Sequence, residues 1–208
     1  MRFFISFLLL IGCQGGNLEE SPNLDNPKVL EKIVAQAVDV KKLESKRVKG
    51  YLILCVPGTE NPFSGWVKAQ DDNGSIHELG KLNEGQKHGI WTTWKKNGKK
   101  HREIQYNREV MDGTFLEWHS NGQLKAKGQT KDGEMDGRWI LWYENGNRSA
   151  TQVCSKGLLV FARSWKPDGS QCPETNATGG NGIFVEYTEN GSILKRQVFS
   201  NGIGKDTK

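Results

Sequence analysis

Four histidines, four cysteines and a scatter of carboxylates are the side chains of this chain that could do chemistry. His77 and His101 each follow an Asn-Gly dipeptide by three residues, in the same phase. On strands two apart their backbones would be separated by about 9–10 Å. That is too far for easy joint ligation of one ion, so both read as exposed strand residues. His88 precedes Gly89 where Asp112 and Asp136 precede Gly113 and Gly137, which marks a turn residue. His119 sits in a hairpin approach and belongs to no nucleophile motif. Glu78, Glu84, Glu117 and Glu186 could be paired on paper as the two acids of a glycosidase. Repeating strands generate such pairs automatically, however. No Gly-x-Ser-x-Gly, phosphate-binding loop or His-Glu-x-x-His occurs. The residue types nominate no catalytic group, no metal ligands and no cofactor.

Cysteine chemistry is more informative. Arg2 is followed by an apolar run from Phe3 to Ile11, broken only by Ser6, and then by Gly12 and Cys13. The run is too short to span a bilayer, for which about 20 residues are needed, and it has the layout of a secretory signal. Leu10-Ile11-Gly12-Cys13 resembles the bacterial lipobox. That resemblance implies cleavage after residue 12, acylation of Cys13 and stable anchoring by several chains. Gln14 stands where an aspartate would favour inner-membrane retention, so the expected location is the cell envelope, with the outer membrane preferred. Cys55, Cys154 and Cys172 remain. Two arrangements fit them: a Cys154–Cys172 disulfide between neighbouring repeats, or three buried free thiols.

Those groups need elements to position them. Residues 14–26 are Gly-, Ser- and Asn-rich with no apolar period, as in a flexible tether. Asn26-Pro27 has the pattern of an N-cap followed by proline at the first helical position. Val29, Leu30, Ile33, Val34, Ala37 and Val38 then recur on one helical face. A short amphipathic helix is expected from Pro27 to about Ala37, within a helical segment covering 27–48. The 29 basic and 24 acidic residues give a net charge of +5. Because the two signs interleave along the chain, they read as a solvated surface and not as a nucleic-acid footprint.

From residue 49 to 208 the chain repeats. Asn73-Gly74, Asn97-Gly98, Asn121-Gly122, Asn145-Gly146, Asp168-Gly169 and Asn190-Gly191 mark six units of about 24 residues. Such dipeptides favour two-residue type I′ hairpins. A second glycine register follows each by eleven residues (Gly85, Gly133, Gly157, Gly180, Gly202), with Glu109 in the one non-glycine place. Between a leading glycine and the turn lie paired aromatic positions: Trp91 and Trp94, Phe115 and Trp118, Trp139 and Trp142, Phe184 and Tyr187. Residues three apart on a strand face opposite sides, so each set forms a ladder on its own face. The fifth unit is degenerate, with Val160 replacing the glycine but Trp165 kept.

This pattern of Gly, aromatic, Trp or Tyr, Asn-Gly and a second Gly resembles the MORN-variant repeat of bacterial proteins, many labelled as antitoxins. An exported lipoprotein fits poorly with neutralising a cytoplasmic toxin. The resemblance implies an all-β chain: an elongated single antiparallel sheet of stacked hairpins with a short N-terminal helix, serving in binding or scaffolding. About twelve strands in one continuous sheet, roughly 55 Å long, are expected between Gly50 and Gly202. The function expected is a membrane-anchored, non-enzymatic module whose aromatic ladders bind an envelope protein or glycan. The alternatives are an envelope hydrolase using acids or histidines on one face, and direct lipid contact by the repeats. Replacing Cys13 by Ser should release the protein from the membrane fraction or leave it unprocessed. Mass spectrometry finding an unmodified mature chain that begins elsewhere contradicts the anchor.

Overall fold

The computed structural model describes residues 21–48 and 50–207. The leader, Cys13 and most of the tether therefore lie outside the described residues. Helix α1 covers Pro27–Gln36, and the Asn26 side chain accepts the Lys28 N–H at its start. Ala37 is already extended. The helical pattern gives way there to β-branched residues, and β1 (Val38–Asp39) pairs in parallel with Val67 and Lys68. A single 3₁₀ turn (Val40–Lys42) leads to β2 (Glu44–Val48), so the segment to residue 48 is helical only in its first half.

Fourteen further strands follow or include that point: β2, β3 (Tyr51–Cys55), β4 (Gly65–Gln70), β5 (Ile76–Asn83), β6 (Gln86–Trp94), β7 (Lys100–Asn107), β8 (Val110–Trp118), β9 (Leu124–Lys131), β10 (Glu134–Trp142), β11 (Arg148–Ser155), β12 (Leu158–Ser164), β13 (Gly182–Tyr187), β14 (Ile193–Ser200) and β15 (Ile203–Asp206). Strands β4 to β12 form consecutive antiparallel hairpins, and with β1 at one edge they make a ten-stranded sheet. The chain is thus a repeat β-sheet with one short helix. The expected continuity through Gly202 is not found, because β2–β3 and β13–β15 form separate sheets. The break lies in the degenerate fifth unit. Residues 171–180 meet β12 and Trp165 through isolated bridges and single hydrogen bonds, not through a continuous ladder, and Pro173 in that stretch has no N–H for a ladder.

Turn types are exchanged relative to expectation. At the Asn-Gly sites only the glycine has positive φ, for example Gly98 at 75°. The Gly98 N–H donates to the Lys95 carbonyl, and Asn97 Oδ1 accepts from the Lys99 N–H. This is a three-residue loop ending in a left-handed glycine bulge. The asparagine is favoured because its side chain closes the turn. The type I′ turns lie at the second register instead: Glu84-Gly85, Asp132-Gly133, Lys156-Gly157 and Asn201-Gly202 all have two positive φ values. Arg108-Glu109 adopts the same conformation without a glycine, at φ 49° and 66°.

Aromatic packing organises the interior. Trp91 lies flat on Gly80, and Trp139 lies on Gly128. Each indole N–H donates to the next carbonyl, Lys81 O and Gln129 O, at 3.0 Å. In the intervening repeat Phe115 stands opposite Ile104, so a large ring on a glycine alternates with a smaller ring beside a branched chain. The first end of the sheet is covered on both faces. Ile33 of α1 and Ala37 just after it pack with Leu79, Trp66, Ile76 and Trp94. On the opposite face Leu54 and Leu43 pack with Val67, Leu82 and Trp91. At the far end β13 returns over that same second face, and Phe184 joins Ala150, Cys154, Leu159 and Ala162.

Gly128→Ala should cost about 1–3 kcal/mol through overpacking against the Trp139 ring. Gly122→Ala has no atom near the new methyl and should cost about 1–2 kcal/mol from its left-handed backbone alone. Urea melts should show strong coupling of Gly128→Ala, but not Gly122→Ala, to a Trp139→Leu change. Additive losses in both backgrounds contradict the ring-on-glycine contact.

Candidate functional site

The candidate surface comes from the bulge in each hairpin. Register shifts before the Asn-Gly turns set Trp94 opposite Lys100, Trp118 opposite Leu124 and Trp142 opposite Arg148. Strand alternation puts these residues and Trp165 on the face that carries α1, in one row running across the strands. Neighbouring hairpins interlock along it. The Lys100 ammonium lies over the Trp118 ring at 5.1 Å, and the Arg148 guanidinium over the Trp165 ring at 5.4 Å. Such contacts contribute roughly 0.5–1 kcal/mol at exposed sites. Lys100 is further held by Glu103 and Asp25, each at 2.6 Å.

Helix α1 covers the beginning of the row at Ile76 and Trp94. Beyond it Trp118, Trp142 and Trp165 are half-buried, and no described residue outside the sheet packs on them as part of a core. Trp142, Arg148 and Trp165 line an open groove of about 390 Å³. Trp165 is the rung the sequence reading left out, although it was visible as the aromatic kept in the degenerate unit. Tyr187 was expected in its place, but it is only 9% exposed, among Tyr143, Cys172 and Val185. The irregular stretch before β13 carries Tyr187 off the row. The other ladder is core: Trp91, Trp139 and Phe184 are 4%, 6% and 1% exposed, and Phe115 is half-buried.

A second set of bonds ties the rim of the row together. Lys95 Nζ donates to Trp118 O at 3.0 Å, His119 Nε2 to Trp142 O at 2.8 Å, and Tyr143 OH to Trp165 O at 2.7 Å. Three different side chains make the same bond from the residue after one ladder position to the next ladder carbonyl. His119 is therefore a structural donor with its proton on Nε2. Burial pushes the Tyr143 phenol up to about 12. His88 lies within β6 beside a register shift and not in a turn. His101 is held below the usual imidazole range by burial and by Arg102.

The carboxylates proposed for hydrolysis are dispersed. Glu78 is paired with Lys87 at 2.6 Å, and Glu84 occupies a type I′ turn. Glu117 is bound by Lys125 at 2.9 Å and faces Arg102 at 3.4 Å. Glu186 lines a cavity of about 240 Å³ between the large sheet and β13–β14. Cys55, Cys154 and Cys172 are free, buried thiols. Cys154 and Cys172 do not pair, because they belong to separate clusters, one around Phe184 and one around Tyr187. Among the described residues no group of three His, Cys, Asp or Glu could hold a metal ion, and no helix is long and apolar enough to cross a membrane.

With this geometry in view, the family model of the MORN repeat variant matches residues 87–108 and 111–132. These are the β6–β7 and β8–β9 hairpins, each carried to the first residue of its type I′ turn. The same hairpin recurs before them in β4–β5 and after them in β10–β11. No curated protein matches the chain.

Glu117 offers a pH test. Burial opposes its charge, but the Lys125 bond and the Arg102 charge prevail and hold the carboxyl below its usual range. A depressed folded pKa contributes stability above the unfolded value of about 4.3, lost as pH falls through the folded one. Glu117→Gln should therefore cost about 2 kcal/mol near neutrality and progressively less in acid. Urea melts across that range giving a constant difference contradict the pairing.

Proposed function

We propose that this protein is a non-enzymatic binding module, anchored through acylated Cys13 at an envelope membrane, preferably the outer one. It captures its partner on the open face between Trp118 and Trp165. The observation that carries this reading is the unequal treatment of the two faces. One is closed at both ends by β2–β3 and by β13–β15, whereas the other is covered, among the described residues, only at its start by α1 and the residues just before it. A contiguous set of half-buried indoles left in solvent normally marks a contact surface. Stacked repeats offer the extended shape that such binding uses. Membrane attachment and the envelope location rest on the Leu10–Cys13 pattern and on Gln14.

Between the two expected partner classes, the row favours a protein over a glycan. Sugar recognition by stacking needs free ring faces. At Trp118 and Trp165 a face is already taken by Lys100 and Arg148. What remains is an indole edge beside a cation, a combination common at protein interfaces.

Replacing Trp118, Trp142 and Trp165 together by Ala tests the reading. Cross-linking of the anchored protein in its own envelope should lose its partner adduct, while the thermal melt stays cooperative and a triple Phe variant keeps partial capture. Loss of the adduct only in proportion to lost folded protein overturns it.

A further inference from the structure

The cavity beneath β13–β14 poses a separate electrostatic problem. Glu186 lines it together with Leu141, Phe184, Tyr187 and Leu194, so the surroundings are mostly apolar. A half-buried carboxylate in such a place is only partly hydrated, so a cation beside it would stabilise its charged form. Directly opposite Glu186 in the antiparallel pair stands Lys195, the residue placed to supply one. Its ammonium goes instead to Asp206, at 3.3 Å. Glu186 makes no hydrogen bond, and no ion pair within 4.0 Å, to any described residue.

The other charged groups lining the cavity are committed elsewhere. Lys125 is bound to Glu117 at 2.9 Å. His119 donates through Nε2 to the Trp142 carbonyl, and its Nδ1 stands 3.8 Å from Glu144. The Glu189 carboxylate accepts the Glu144 N–H at 3.1 Å and keeps free lone pairs. The space therefore presents acceptors, an apolar wall and aromatic rings, but no uncommitted cation. Burial also holds the Glu186 carboxyl above its usual range, and the Lys195 charge, shared with Asp206, offsets this only in part.

We propose that this cavity is a binding site for a primary alkylammonium group, with Glu186 as its counter-charge and Phe184, Tyr187 and Leu194 enclosing the alkyl stem. About 240 Å³ accommodates a single aliphatic chain and not a folded segment. The same chemistry is offered by a free amine or by a lysine side chain of a partner. Trp142 of the indole row also lines this cavity, so the site borders that surface, but its counter-charge, Glu186, lies outside the row.

Calorimetric titration of the full chain with n-pentylamine, against 1-pentanol as the uncharged stem, tests the assignment. The amine should bind at least roughly tenfold more tightly, a difference of about 1.4 kcal/mol. Glu186→Gln should abolish that preference while the protein remains folded by thermal melt. Asp206→Asn leaves the lining intact and frees Lys195 to reach Glu186, so it should weaken amine binding several-fold. Equally tight binding of Nα-acetyl-lysine amide assigns the cation to a partner's side chain, and selective binding of pentylamine assigns it to a free amine; both support the site. Equal affinity for amine and alcohol, amine binding that survives Glu186→Gln, or no binding of either amine overturns it.

Discussion

Repeat-to-repeat registration depends on a single backbone hydrogen bond made at the type I′ edge. The Gly85 N–H donates to Phe63 O at 2.8 Å, Glu109 to Lys87 O at 3.1 Å, Gly133 to Met111 O at 2.9 Å and Gly157 to Met135 O at 3.0 Å. Each bond joins a turn to the start of the preceding hairpin, outside the ordinary strand ladder. It requires the donating residue to have positive φ, which is why glycine fills this register in all but one repeat. Glu109 shows how strong the constraint is. It holds φ 66°, at a conformational cost of roughly 1–2 kcal/mol, and its carboxylate accepts the Lys87 N–H at 2.6 Å in partial compensation. With the turns stacked this way, equivalent side chains fall in line across the sheet, and both aromatic ladders follow from that alignment.

From there the two faces diverge because of what the ends of the chain do. The inner ladder is large on a glycine and smaller on a branched residue, so it packs flat and can be covered by β2–β3 at one end and β13–β15 at the other. The outer ladder alternates indoles with Lys100, Leu124 and Arg148, and it is too polar to form a second dry core. Only its start, where Ile76 is the intervening residue, accepts a helix. Asp25, just before α1, neutralises Lys100 where that cover ends. The boundary between covered and open sheet thus coincides with the first cation in the row.

Much of this was legible in the sequence, because period and turn chemistry are local properties. The six Asn-Gly and Asp-Gly marks, the helix cap at Asn26-Pro27 and the aromatic pairs from Trp91 to Trp142 appear where their spacing puts them. The identity of the turns was not legible. Asn-Gly suits both a two-residue I′ loop and a three-residue bulged loop, and only the pairing of Trp94 with Lys100 decides between them. The glycines under Trp91 and Trp139 were hidden for another reason. Gly80 and Gly128 recur in every second repeat, outside the main glycine registers. Tyr187 and Phe184 were misplaced because a 24-residue period assumes an unbroken sheet, and residues 171–180 interrupt it. Trp165 follows from the same interruption, as the last indole before the chain leaves the row.

The proposal most exposed to test is that the face from Trp118 to Trp165 is a contact surface. Hydroxyl-radical footprinting of the chain in the membrane fraction of cells that make it, compared with the purified chain, measures this directly. The account predicts that Trp118, Trp142 and Trp165 are protected in the envelope, while Tyr51, 68% exposed on β3, is labelled equally in both. Equal labelling of the three indoles in both preparations, or protection confined to Tyr51 and Leu52, would contradict it.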